Sequence, residues 1–163
     1  MYPHYLIDGY NLIHVVSELS RFLDSGLEQA RNRLIHLLQS YAVTHRVAIT
    51  VVFDGNEVGH IEPPVPANPR LQIRYSHPPE KADPVIKRII DKAKNRRSII
   101  LISADNELTR YGRASGTQVL SPQGFFDRIC QPANQKQMEQ KFNSELSEAE
   151  LADWLKIFRA QDK

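Results

Sequence analysis

The chain has 163 residues, of which 41% are hydrophobic, 25% charged and 8% aromatic, and its formal net charge is +2. That length predicts one domain able to bury roughly two-thirds of its unfolded surface, and the composition excludes a disordered or fibrous chain. The single cysteine, Cys130, excludes an intrachain disulfide and a cysteine metal cluster, and no HExxH-type histidine pair is present.

Residues 1–11 lack a basic segment followed by a long apolar core, and the apolar runs are strand-sized, which predicts a cytoplasmic protein with no membrane span. Tyr5, Leu6 and Ile7 form a short buried strand that delivers Asp8 into a turn at Gly9. Ser25 and Glu28 make a capping-box pattern, and Leu27, Ala30, Leu34, Leu38 and Tyr41 recur at helical spacing, predicting a helix over residues 26–44. Residues 47–53 are apolar and rich in β-branched side chains, the pattern of a strand covered on both faces, and they stop at Asp54. Pro63, Pro64, Pro66 and Pro69 then interrupt residues 55–69, which predicts a long surface loop.

Residues 71–75 alternate as a strand near a sheet edge does. Asp83 and Pro84 read as an N-cap and a first-position proline, ahead of Val85, Ile86, Ile89, Ile90 and Ala93 on one helical face. Residues 98–103 repeat the doubly buried strand pattern and lead to Asp105 and a short helix containing Leu108 and Tyr111. A last strand over 117–120 precedes a helix capped by Ser121 and Pro122 that carries Phe125, Phe126 and Ile129. The alternation predicts an α/β fold with a mostly parallel sheet over residues 1–130. A polar linker follows over 131–146. An amphipathic helix over 147–163, with Leu151, Trp154, Leu155 and Phe158 on one stripe, packs on the domain or on a partner.

Asp8, Asp54 and Asp105 each follow an apolar strand, and Asp83 opens a helix after another. In a parallel sheet all four lie at the carboxyl edge, where open α/β sheets bind ligands. Any one of them has an ordinary explanation, because aspartate is common at turns and helix caps. Four carboxylates together repel one another unless protons or a cation neutralise them. Oxygen-only ligands favour Mg²⁺ or Mn²⁺ over zinc, and such an ion can activate water and stabilise charge on phosphorus oxygens. Spacing alone leaves a nuclease and another Mg²⁺-dependent phosphotransfer fold both open.

The segments Tyr5-Leu-Ile-Asp8-Gly-Tyr-Asn11, Val51-Val-Phe-Asp54, Glu80-Lys-Ala-Asp83 and Ser103-Ala-Asp105 resemble the ordered motifs of NYN-domain nucleases of the YacP-like branch, related to PIN-domain ribonucleases. The resemblance spans residues 5 to about 130. It implies a Rossmann-like PIN fold with a parallel sheet in the order 3-2-1-4-5, and Mg²⁺- or Mn²⁺-dependent endoribonuclease activity. By the same matching, Asp8, Asp83 and Asp105 are the metal-site carboxylates, with Asp54 beside them, and Asn11 hydrogen-bonds a metal-held water or the substrate. The sequence departs from the family at Pro84, where a second acidic residue is often found, and at Lys81, where threonine is common. Glu80 is a candidate replacement outer ligand.

Between Lys87 and Arg97 lie six basic residues, Lys87, Arg88, Lys92, Lys94, Arg96 and Arg97, against the one acid Asp91. This run attracts RNA phosphates or forms a solvated helix face that complements the helix dipole. Arg110 and Arg113, soon after Asp105, and Lys81 are further phosphate-binding candidates. Tyr10 and His14 either stack on bases or pack in the core. The reading is a metal-dependent endoribonuclease acting on single-stranded or loop RNA, with a larger RNA-containing assembly as a candidate partner that presents the substrate. The alternatives are a catalytically weak RNA-binding adaptor of the same fold and a receiver-like phosphoacceptor domain. The latter requires a lysine at the end of a late strand, where residues 119–122 offer none.

Overall fold

The computed structural model describes residues 2–55 and 68–130. Five parallel strands, β1 (His4–Asp8), β2 (Ala48–Phe53), β3 (Leu71–Tyr75), β4 (Ile99–Ile102) and β5 (Gln118–Leu120), form one sheet in the order β3-β2-β1-β4-β5. This is the order the family resemblance implies. A receiver-like domain has the order 2-1-3-4-5 instead and is excluded. The α-helices among the described residues are α1 (Gly9–Val15), α2 (Ser17–Ser20), α3 (Leu27–Thr44), α4 (Ala82–Lys92), α5 (Asn106–Ser115) and α6 (Pro122–Ile129).

Strand alternation divides the core into two layers. Tyr5, Ile7, Val51 and Phe53 face α1, α3 and α6, where Leu12, Leu34, Leu38 and Phe125 are fully buried. Leu6, Val52, Ile99 and Leu101 face the other way, onto Ile86 and Ile90 of α4 and Leu108 of α5. Each such aliphatic side chain contributes roughly 1.5–3 kcal/mol when fully buried. β3 is the outer strand, and its alternation of buried and exposed residues matches the expected edge pattern.

The local chemistry differs from the sequence reading at three helix starts. Gly9 begins α1 rather than a turn, and a Cβ there would lie 2.4 Å from Phe53 Cε1, so the glycine lets α1 pack closely over β2. The Ser25–Glu28 capping box does not form: Ser25 ends a 3-10 turn over Arg21–Ser25, and Gly26, at φ 110°, is the N-cap of α3 without a side-chain bond. At α4 the N-cap is Lys81, not Asp83, and Pro84 sits two residues inside the helix. A proline is tolerated there because first-turn N–H groups have no intrahelical partner. The shift places Asp83 in the first turn, freeing its carboxylate from capping.

The expected cap at Ser121 does form, its Oγ accepting from the Gly124 N–H at 3.0 Å, and Asp105 also caps α5, its Oδ1 accepting from the Leu108 N–H at 2.8 Å. Cys130 is buried, as expected of a lone cysteine. Among the described residues no helix is long and apolar enough to cross a membrane. Most of the proline-rich loop, the linker over 131–146 and the helix over 147–163 lie outside the described residues.

Candidate acidic active site

The order β3-β2-β1-β4-β5 reverses direction of winding between β1 and β4, and a crevice opens at the carboxyl ends of strands at such a point. Asp8 is the last residue of β1, and Asp105 follows β4 as the N-cap of α5. Asp54 follows β2, and Asp83 lies half-buried in the first turn of α4. Asp8, Asn11, Asp54 and Asp83 line one open cleft of about 890 Å³, together with Tyr10, His14, Glu80 and Lys81. Asp105 does not line this cleft, but its charge acts on both Asp8 and Asp83.

Asp8 is only 9% exposed. Its carboxyl is pushed up to about 7, first by burial, then by Asp83, Asp105 and Asp54, while the Asn11 backbone N–H bonded to it pulls the other way. Asp83 is raised as well, by burial and by Asp105, against the opposing charges of Lys87 and Lys81. The carboxylates therefore sense one another, which is the signature of an acidic site awaiting positive charge.

Hydrogen bonds between distant segments hold this edge together. Asn11 Oδ1 accepts from the Ala104 N–H at 2.8 Å, tying α1 to the β4–α5 connection. Ser103 Oγ accepts from the Asp105 N–H at 3.1 Å. On the other side of β1, Ser76 donates its N–H to Phe53 O and accepts at Oγ from the Gly55 N–H at 2.9 Å, fixing the chain on both sides of Asp54. Under the cleft, buried Arg31 donates to Tyr10 Oη at 3.1 Å. Sequence reading missed Ser76 and Arg31, since each acts across 21 residues with no local pattern to announce it.

Tyr10 is thereby a buried residue with its ring tilted against Phe53, 5.0 Å between centroids, and not an exposed stacking platform. Glu80 is gripped by both terminal nitrogens of Arg88, so its carboxylate already has a cation. Lys87 pairs with Glu107 at 3.0 Å and lies under the influence of Asp83. Lys81 stands exposed at the cleft, next to Asp83. Arg110 is exposed in the middle of α5, whereas Arg113 is in its last turn, about 12 Å of helix axis beyond Asp105.

The donors at the site are carboxylate oxygens, with the Asp8 carboxyl raised first by burial and then by its acidic neighbours, and this chemistry fits a hard divalent cation. Among the described residues no group of three or more His, Cys, Asp or Glu side chains is gathered so as to hold one ion directly. The fit is therefore to an ion held by one or two carboxylates and otherwise by water, as Mg²⁺ commonly is.

Residues 5–159 match the YacP-like NYN domain family. The chain belongs to that family. Its fold is the PIN-like nuclease fold, and a general nuclease or RNA-related role goes with it. Two solved structures of Rae1 (YacP) from Bacillus subtilis are similar to it. One shares 22% identity with a TM-score of 0.69, covering 98% of this chain and 92% of that one. The other, the W164L mutant, shares 20% identity with a TM-score of 0.68, covering 96% and 91%. At that identity the likeness supports the fold. Among curated proteins none matches the sequence significantly.

Proposed function

We propose that this YacP-like NYN domain is a metal-dependent endoribonuclease that hydrolyses phosphodiester bonds of single-stranded or loop RNA in the acidic cleft. The observation that carries the reading is Asp8, a buried carboxyl at a sheet switch point whose pKa is raised to about 7 by burial and by three further aspartates. Burying a carboxyl among like charges is costly and needs a functional reason.

Asp8, with Asp83 or Asp105, would hold Mg²⁺ or Mn²⁺. When bound, the ion supplies a water of lowered pKa and neutralises charge growing on the phosphorus oxygens. The chain's own residues do the rest. Asp8 would hold the ion as a carboxylate, the form that the hydrogen bond from the Asn11 backbone N–H favours. Asp54 and the remaining carboxylates orient water in the cleft. Asn11 keeps its amide nitrogen for substrate, its oxygen being used by Ala104. Lys81 offers a cation to a phosphate entering the cleft, and a larger RNA-containing assembly would present that strand.

The wild-type chain, incubated with structured and unstructured RNAs in Mg²⁺, Mn²⁺ or EDTA, is expected to give internal cleavage with either metal and none in EDTA. A second reading, an RNA-binding adaptor of the same fold, draws on the lack of three directly gathered ligands among the described residues. It predicts salt-sensitive RNA binding with no metal-dependent product.

A further inference from the structure

The fold divides the basic run that the sequence presents as one stripe. Lys87 and Arg88 sit in the middle of α4 and are engaged by Glu107 and Glu80. The other four, Lys92, Lys94, Arg96 and Arg97, lie at and beyond the end of α4, about 14 Å of helix axis from Asp83 to Lys92. Lys92 and Lys94 there meet Arg74 from edge strand β3 and His4 from the start of β1, around a depression of about 430 Å³. A second depression, about 460 Å³, continues from it through Lys94 to Arg96 and Arg97. Ala93, Lys94 and Asn95 line both.

Two features identify what this surface takes. First, no Asp or Glu lines either depression, and Lys92, Lys94 and Arg97 are exposed. His4 is held below the usual histidine value first by burial and then by the Arg74 charge, so Arg74 lies close enough to act on it. The α4 C-terminus accounts for Arg96, one of whose terminal nitrogens donates to the Asp91 carbonyl oxygen at 3.1 Å, but it explains neither Arg74, which comes from a different element, nor Arg97, which lies past the helix. Second, among the described residues the only ring in either lining is that of His4, which is bonded through Nε2 to Thr50 Oγ1 at 2.8 Å, so neither lining offers an aromatic platform for an unstacked base. Cations spread over two joined depressions without stacking groups suit a series of phosphates whose bases are turned away, as in a base-paired helix.

We propose that Arg74, Lys92, Lys94, Arg96 and Arg97 form a second RNA-binding surface, separate from the acidic cleft, that grips the phosphate backbone of a base-paired segment without reading its sequence. The inference rests on the chain's RNA-directed function. It assigns that RNA a second point of attachment, so that a folded RNA is held at one end of α4 while a single strand enters the cleft at the other.

The test uses the full chain in EDTA, with a labelled hairpin carrying a single-stranded extension and, separately, the short extension alone. Wild type is compared with the triple variant Lys92→Ala, Lys94→Ala, Arg97→Ala and with Arg74→Ala, each checked by thermal melting. The triple variant is expected to bind the hairpin about tenfold or more weakly at low salt, and its slope of log affinity against log salt to fall by about 2 to 3. Its affinity for the short extension should stay at the wild-type value. Arg74→Ala should show the same pattern with a slope change near 1. Unchanged hairpin affinity and slope in a wild type that does bind RNA would overturn the second surface and leave the cleft reading intact. Equal losses on hairpin and short extension would also overturn it, by making the effect general charge. A variant that loses binding to polyglutamate while keeping hairpin affinity would overturn it in favour of an acidic protein partner. A wild type that binds neither RNA would overturn both readings.

Discussion

The side-chain oxygen of Asn11 accepts a hydrogen bond from the backbone N–H of Ala104, 2.8 Å away and 93 residues later in the chain. One residue beyond Ala104 stands Asp105, and three residues before Asn11 stands Asp8. The bond spans the switch point of the sheet and sets two carboxylates in relation to each other. Asn11→Ala should therefore lower kcat about 10- to 100-fold, since misplacing catalytic groups by an ångström costs that much, and reduce stability by about 1 kcal/mol. Asn11→Asp, which keeps an acceptor oxygen but adds a carboxylate to the acidic cleft, should restore stability at low pH and lose it as pH rises, without restoring the rate. Melting curves and single-turnover rates for the two variants check this.

Asp8 makes metal-free stability fall with pH. Its carboxyl has the ordinary aspartate pKa of 3.8 when unfolded and is pushed up to about 7 when folded, so between those values the folded chain binds more protons than the unfolded one. Stability is then lost progressively as pH rises from about 4 to about 7, the opposite of an ion-paired aspartate. The raised Asp83 carboxyl acts in the same direction. Denaturant melts in EDTA should show wild type losing a few kcal/mol over that window, and Asp8→Asn losing much less. Mg²⁺ should restore wild-type stability at pH 8 and leave Asp8→Asn unmoved.

Gly55 abuts the chain after β3 so closely that a Cβ would lie 1.9 Å from the Ser76 carbonyl oxygen. Because the obstacle is backbone, it cannot swing aside. Gly55→Ala should cost about 2–4 kcal/mol and displace Asp54. Gly9→Ala meets side chains rather than backbone, the Phe53 ring and Val51 Cγ2, and should cost about 1–3 kcal/mol. Chemical denaturation ranks the two.

Lys81 is exposed and lies beside the cleft carboxylates without forming part of them. Lys81→Ala should raise KM for RNA about 3- to 10-fold with kcat nearly unchanged, because a phosphate contact made equally in ground and transition states is lost. Steady-state kinetics at two salt concentrations check the split.

The strands and their carboxyl-end aspartates were legible in the sequence because doubly buried parallel strands are continuous apolar runs, and each run here stops at a charge. The five-strand order followed from the family resemblance. Less legible was anything decided by two distant segments meeting. Gly9 reads as a turn in the Asp8-Gly9 pair, yet the space left by Phe53 makes it a helix start. Ser25 and Glu28 have the spacing of a capping box, but the 3-10 turn before Gly26 consumes Ser25. Asp83 looks like a cap because proline follows it, while burial of Ala82 draws the helix back a turn position and sends the carboxylate to the cleft. The basic run looks uniform until Glu80 and Glu107, from other segments, claim its first two members.

The central claim is that Asp8 anchors a metal-dependent cleavage of RNA, and the most direct measurement is RNA cleavage by wild type, Asp8→Asn and Asp105→Asn in Mg²⁺ or Mn²⁺, with RNA binding followed in parallel. The account predicts internal cleavage by wild type, a loss of at least about 100-fold in each variant, and RNA affinity kept or raised as a negative charge is removed. Full metal-dependent cleavage by both variants would contradict it.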